Sequence, residues 1–234
     1  MISKKILLNF EKKIGYKFKN TNLLSQSLTH PSFLTNNKKN NYKDDNFERL
    51  EFLGDRVLGL IISSLLYFKF NHLNEGDLSK RFSYLVQKKF LYKISKDLSL
   101  EKILLYDFKK NNTKMQMSIM SDSVESLIGS IFVDGGYQKS FNFVKKFWLS
   151  YLDIELLEIL DPKTAIQELS QQKYKKLPEY KLLSKKGPPH SPIFKISLKV
   201  LTLDKIIETG SSIREAERKA ALKALNHINE NKTS

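Results

Sequence analysis

Apolar residues recur at helical spacing from the start of the chain. Ile6, Leu7, Phe10 and Ile14 share one face, and the pattern runs through residues 3–28. The polar run TNNKKNNYKDDN (Thr35 to Asn46) predicts a loop. ERLEFLGDRVLGLIISSLLYF (Glu48 to Phe68) follows, apolar at almost every turn in its second half, and predicts a buried helix. From Leu58 to about Trp148 the periods stay helical and strand signals are few. Asn and Gly clusters punctuate this stretch at NHLNEGD (71–77), KKNNTK (109–114) and DGG (134–136). Met1 to about Tyr151 therefore reads as all-helical.

The pattern changes at Asp161-Pro162. KTAIQELSQQKYKK predicts a helix with Pro162 in its first turn. Three β-type runs follow: EYKLLSKKG (179–187), PIFKISLKVL (192–201) and LDKIIETG (203–210). Within the second, Ile193, Lys195, Ser197 and Lys199 alternate imperfectly with Phe194, Ile196, Leu198 and Val200. That describes a half-buried strand with a basic outer face. SIREAERKAALKALNHI closes the chain as an amphipathic helix. The expected organisation is an all-α domain over 1–152, a short acidic linker over 153–160 and a small α+β domain of α-β-β-β-α order over 161–231.

Charge sharpens this division. The 234 residues carry a formal net charge of +15, and a protein this basic expects a polyanion, of which nucleic acid is the commonest. Residues 161–234 hold 15 Lys and Arg against 8 Asp and Glu, whereas residues 1–160 hold 25 against 17. Per residue the small domain is nearly twice as basic, which marks it as the polyanion binder. The chain has no cysteine, which excludes disulfides and thiolate zinc sites, and its four histidines show no ligand spacing. MISKKILLNF is too short in its apolar part for a secretion signal, and LGLIISSLLYF is too short to span a bilayer. The expected location is cytoplasmic, with no membrane partner.

The helix from Glu48 holds an anomaly. At about 100° per residue, Glu48, Glu51 and Asp55 share an arc of roughly 60°. Leu50, Leu53, Val57, Leu60 and Ile61 take the other side. Like charges this close repel, and burying them is costly. A solvated face or ion pairs to Arg49 and Arg56 are the ordinary explanations, although both arginines point off the stripe. MSIMSDSVESLIGSIFVDGG repeats the oddity, with Asp122 and Glu125 at i and i+3, Gly129 on the same stripe, and Val124, Leu127, Ile128 and Ile131 elsewhere. Two such helices facing each other would gather hard oxygen ligands suited to Mg²⁺ or Mn²⁺. In a basic protein that points to phosphoryl chemistry on a nucleic acid.

FERLEFLGD (47–55) closely resembles the signature of the ribonuclease III family. LTHPSF (28–33), NEGDLSK (74–80) and SDSVESLIGSIFVDGG (121–136) are similar to the family's other segments in order and spacing, and the C-terminal part resembles its double-stranded-RNA-binding domain. The resemblance covers nearly the whole chain. It implies that Glu51, Asp55, Asp122 and Glu125 bind a catalytic Mg²⁺, for which Mn²⁺ can substitute. It implies that Glu48 and Glu75 are auxiliary acids at the cleavage site. It also implies a homodimer with two cleavage centres, in which Phe52 is the candidate dimer contact, and products with 5′-phosphates and short 3′ overhangs. Processing of ribosomal-RNA precursors and mRNA turnover are the implied roles. Arg56 departs from the family's usual small Ser; one residue beyond Asp55 it points about 100° away, towards RNA phosphate or solvent.

Duplex RNA is read by shape across about 16 bp, through 2′-hydroxyls and phosphates. Three places offer the groups needed: Gln167 and Glu168 on the first helix, His190 in the GPPHSP turn (187–192), and Arg214, Arg218 and Lys219 near the start of the last helix, where the dipole also favours phosphate. Ile213 stands where the family often has a second basic residue, so the expectation is that one phosphate contact is lost or is moved to Arg218 or Lys219. Two rival readings remain, a non-catalytic double-stranded-RNA-binding factor and a metal-dependent DNA nuclease. The complete acid set argues against the first and the C-terminal domain against the second.

Overall fold

The computed structural model describes residues 2–36, 46–107, 113–154, 161–200 and 203–230. Most of the Thr35 to Asn46 loop, most of the KKNNTK segment and all but the first residues of the linker lie outside the described residues. The chain divides into two compact units, Met1–Ile154 and Glu155–Ser234.

The first unit is helical: α1 (Lys4–Ile14), α2 (Thr21–Ser27), α3 (Pro31–Asn36), α4 (Asn46–Lys69), α5 (Glu75–Val86), α6 (Lys88–Leu98), α7 (Thr113–Gly135) and α8 (Tyr137–Trp148). The helical pattern over 3–28 is two helices. Gly15 ends α1 at φ 75°, a left-handed conformation that glycine adopts without a Cβ clash, and Asn20 caps α2 by accepting from the Asn22 N–H. The core centres on Leu58, Ile61, Ile62, Ile94, Leu127 and Ile131, all fully buried.

The two longest helices, α4 and α7, cross at the middle of this core. Their closeness depends on two glycines. A Cβ on Gly54 would lie 1.8 Å from the Glu125 carbonyl oxygen, and one on Gly129 would lie 2.1 Å from that of Leu50. Only hydrogen fits at either point, so backbone meets backbone. Between Ile119 and Ile131 α7 is buried or half-buried on every side, which explains its weak amphipathicity. Its buried serines are paired: Ser123 Oγ donates within the helix to the Ile119 carbonyl at 2.7 Å, and Ser126 Oγ donates across to the Phe47 carbonyl on α4 at 3.3 Å.

α4 has three faces where the sequence shows two. Leu50, Val57 and Ile61 enter the core and the carboxylates form a second face. Leu60, expected on the core side, is 58% exposed on a third face, near Phe52 and Tyr67. Neither α7 nor any other neighbour in the described part of the unit covers that side.

The second unit comprises α9 (Pro162–Tyr174), β1 (Glu179–Lys186), β2 (Ile193–Lys199), β3 (Ile206–Gly210) and α10 (Ile213–Glu230). Asp161 caps α9 by accepting from the Lys163 N–H, with Pro162 in the first turn as expected. The sheet is antiparallel in the order β1-β2-β3, with Leu198 opposite both Tyr180 and Ile206. Ala165, Ile166, Leu198, Ala220, Ala221 and Ala224 form its core. The small alanines bring α10 close to the sheet. Lys195 and Lys199 are exposed, as a basic outer face requires, but Ser197 between them is buried. Its neighbours across the ladder, Lys181 and Ile207, stand over it. No helix among the described residues is long and apolar enough to cross a membrane.

Candidate active site

The glycine contact brings the acidic stripe of α4 against that of α7. Carboxylate oxygens of Glu51, Asp122 and Glu125 all lie within 4.8 Å of one another. Asp55 and Glu48 complete the patch electrostatically: Asp55 acts on Glu125 and on Glu51, and Glu48 acts on Glu51. Burial, reinforced by the charges of Asp55, Asp122 and Glu51, pushes Glu125 up to about 8. Burial and then Asp122 raise Glu51. A site that holds like charges in a half-buried cleft calls for a cation, and an all-oxygen donor set fits Mg²⁺ or Mn²⁺.

Two neighbours escaped the sequence reading. Lys88, at the start of α6, places its Nζ 3.0 Å from Asp122 Oδ1 and 3.0 Å from Ser118 Oγ. Ser118 Oγ donates to the other oxygen of Asp122 at 3.1 Å. Asp122 is thus held from both sides, and Lys88 also pulls Glu51 and Glu125 down. One lysine in so basic a chain carries no signal of its own. The second neighbour is His30, from the LTHPSF segment. Its Nδ1 accepts from the Ser32 N–H at 3.1 Å, and its ring meets Phe47 edge-on at 5.2 Å. Burial lowers its pKa against the pull of Asp122 and Glu48, which places it at the wall of the cluster.

Arg56 does not point away. Its guanidinium turns back onto the Asp55 carboxylate and lies over the Phe52 ring, 5.4 Å from the centroid. The direction of a Cα–Cβ bond does not bound a side chain this long. Glu75 stands apart from the cluster within one chain. It opens α5, accepts from Ser79 Oγ at 2.7 Å, and lines a groove of about 460 Å³ with Ser63, Ser64, Tyr67, Phe68 and Phe82.

In the second unit the expected RNA-facing groups are at the surface. Gln167 and His190 are exposed, Glu168 is half-buried, and Gly187 at φ 91° shapes the turn that carries His190. Arg214 is exposed at the start of α10. Arg218 Nε lies 3.3 Å from Asp161, and Lys219 Nζ lies 2.8 Å from Glu215. Lys219, with the Ser211 hydroxyl and N–H, holds the Glu215 carboxyl down at about 2. Exposed pairs of this kind are weak because water and salt screen them, so a phosphate can compete for either cation.

Comparison with known proteins agrees with both units. The Ribonuclease-III-like family model matches residues 20–152, and the Double-stranded RNA binding motif matches residues 162–228. The chain is 38% identical to Ribonuclease 3 of Wolbachia sp. subsp. Brugia malayi over 93% of its length and 90% of the relative. It is also 38% identical to Ribonuclease 3 of Rickettsia felis, over 93% and 96%. Among solved structures, a nuclease domain of ribonuclease III from Campylobacter jejuni aligns with a TM-score of 0.55 and 35% identity, covering 65% of this chain and all of that one. A second structure of that domain, at TM-score 0.51 and 36% identity over 60% of this chain and 96% of that one, is described by structural flexibility in a region involved in dimer formation. With a carboxylate cluster between two glycine-locked helices and an α-β-β-β-α module later in the sequence, the chain belongs to the ribonuclease III family of endoribonucleases.

Proposed function

We propose that this protein hydrolyses phosphodiester bonds of double-stranded RNA with a divalent metal held by Glu51, Asp55, Asp122 and Glu125. The convergence of Glu51, Asp122 and Glu125 from two helices carries this reading. These carboxylates would hold Mg²⁺, with Mn²⁺ as a substitute, and the bound ion would supply polarisation of a phosphoryl oxygen and a lowered pKa for a bound water. Lys88 and Ser118 orient Asp122 for its share of the ion. Glu48, at the end of the stripe, is an auxiliary acid. Gln167, Glu168, His190, Arg214, Arg218 and Lys219 contact the duplex. Products carry 5′-phosphates and short 3′ overhangs, and the substrates are ribosomal-RNA precursors and other structured transcripts of the cytoplasm.

The protein acts as a homodimer. Phe52 is 66% exposed, Leu60 58% and Tyr67 67%, an apolar strip that a monomer leaves in water. The Campylobacter jejuni nuclease domain has a region involved in dimer formation, which supports the same assembly here. Phe52 follows the metal-binding Glu51, and the groove that would receive it contains Glu75. Docking two copies through this strip therefore carries Glu75 towards the other chain's carboxylates, where an auxiliary acid belongs.

The deciding experiment incubates the protein with long duplex RNA in Mg²⁺ and in EDTA and resolves the products on a gel. Short duplexes with 5′-phosphates in Mg²⁺ alone are expected. Cleavage of equal extent in EDTA refutes the metal mechanism.

A further inference from the structure

The third face of α4 holds two charges, Arg49 at its start and Arg56 within its apolar strip. Phe52, Arg56, Leu60, Ser63 and Tyr67 fall within an arc of about 80° at 100° per residue. Phe52, Leu60 and Tyr67 are exposed large hydrophobics, and the Arg56 side chain is 68% exposed. Its guanidinium has two holds on its own chain, the Asp55 carboxylate and the Phe52 ring. The first competes with the assigned role of Asp55, because an oxygen bound to a guanidinium is poorly placed to serve a divalent ion as well.

A two-fold interface is self-complementary, so α4 must meet a copy of itself. Antiparallel pairing centred on Leu60 sets Phe52 against Phe68 and Arg56 against Ser64. Phe68 and Ser64 both line the groove beside α4, and the one acid lining that groove is Glu75. Among the described residues Glu75 has a serine hydroxyl, Ser79 Oγ, as its hydrogen-bond partner and no ion pair. Helices that pack side by side lie about 8–10 Å apart. That is within the combined reach of an arginine and a glutamate.

We infer that Arg56 is a shared cation, paired with Asp55 of its own chain or with Glu75 of the partner subunit, and that assembly moves it to the second and releases Asp55 to the metal. This rests on the homodimer proposed above. Arg56 is then a positioning residue: it touches neither metal nor substrate, and acts by yielding a metal ligand. Because binding linkages are reciprocal, whatever factor assembly adds to Mg²⁺ affinity, Mg²⁺ adds to assembly.

Sedimentation equilibrium of the full chain in Mg²⁺ and in EDTA tests this without reading activity. Arg56→Glu and Glu75→Arg should each weaken association by about tenfold, since two-fold symmetry counts each pair twice. The double variant Arg56→Glu/Glu75→Arg should recover to within about threefold of the unmodified protein, a coupling that misfolding of either single variant cannot imitate. Mg²⁺ should tighten the unmodified dimer and leave Arg56→Ser unchanged. Phe52→Ala separates the two levels of the argument. If it weakens association while the charge swap fails to rescue, the dimer stands and the shared cation is wrong. If it leaves association unchanged, both fall. An equal Mg²⁺ effect in Arg56→Ser and in the unmodified protein also overturns the inference.

Discussion

Glu125 on α7 and Glu215 on α10 are the same residue type displaced in opposite directions, one up to about 8 and the other down to about 2. The first sits half-buried among Asp55, Asp122 and Glu51; the second sits in water against Lys219 and Ser211. The nuclease unit thus concentrates like charge where solvent cannot screen it, and the small unit spreads paired charge where solvent can. A cluster of the first kind is completed by a cation. A surface of the second kind is recruited by an anion that outbids weak internal pairs. Catalysis and duplex binding are therefore expected to fail separately and to respond differently to salt.

The strongest way to separate them is Glu125→Gln. Its cleavage rate should fall by about 10³-fold or more, as for loss of a group that stabilises developing charge. Duplex affinity, measured by filter binding, should change little because the binding surface lies on other elements. Cleavage near the normal rate would remove Glu125 from the site.

Next comes the scaffold. Gly54→Ala forces a methyl to within 1.8 Å of a backbone oxygen that no rotamer can move. It should destabilise the nuclease unit by about 3 kcal/mol or more, at the upper end for overpacking. Melting followed by circular dichroism should show the helical transition moving while the small unit's transition stays in place. A joint shift would mean that the two units unfold together.

A smaller effect is expected on the binding side. Arg214→Ala should weaken duplex binding and reduce the slope of log affinity against log salt by about 1, the signature of one phosphate contact. Its cleavage at saturating RNA should be unchanged. An unaltered salt slope would place Arg214 off the phosphates.

The finest test is pH. Glu125 binds its proton more readily folded than unfolded, so its contribution to stability is fully present below about 4.5 and is lost as pH rises through about 8. Mg²⁺ competes with that proton and binds the folded form, so it offsets the loss. The rise in melting temperature with Mg²⁺ should be a few degrees larger at about pH 8.5 than at about pH 6, and the difference should vanish in Glu125→Gln. Equal shifts at both pH values would put the stabilising ion elsewhere.

Much of this was legible in the sequence. Carboxylates interrupting an apolar helix are visible because a core excludes them, and their spacing alone puts Glu48, Glu51 and Asp55 on one stripe. The order of strands and helices after Pro162 was equally plain, since period-two and period-3.6 patterns alternate cleanly there. What stayed hidden depended on partners distant in sequence. Lys88 matters because α6 begins beside Ser118, and no local pattern records that. Leu60 reads as core until the absence of a neighbour on the third face of α4 is seen. Arg56 was misjudged because helical geometry fixes where a side chain starts and says little about where four methylene-length bonds can carry its charge.

The glycine crossing has a mechanical consequence. With backbone against backbone at Gly54 and Gly129, the distance between α4 and α7 is fixed by atomic radii, and only rocking about the contact remains soft. The contact on α7 runs from Gly129 to the Glu125 carbonyl, so Glu125 sits at its edge, while Asp122 lies three residues, about 4.5 Å, beyond it along the axis at 1.5 Å per residue. The contact is a fulcrum with unequal lever arms. Any rocking of α7 displaces Asp122 more than Glu125, so the inner carboxylate is the fixed reference of the site and the outer one, steadied by Lys88 and Ser118, is its adjustable jaw.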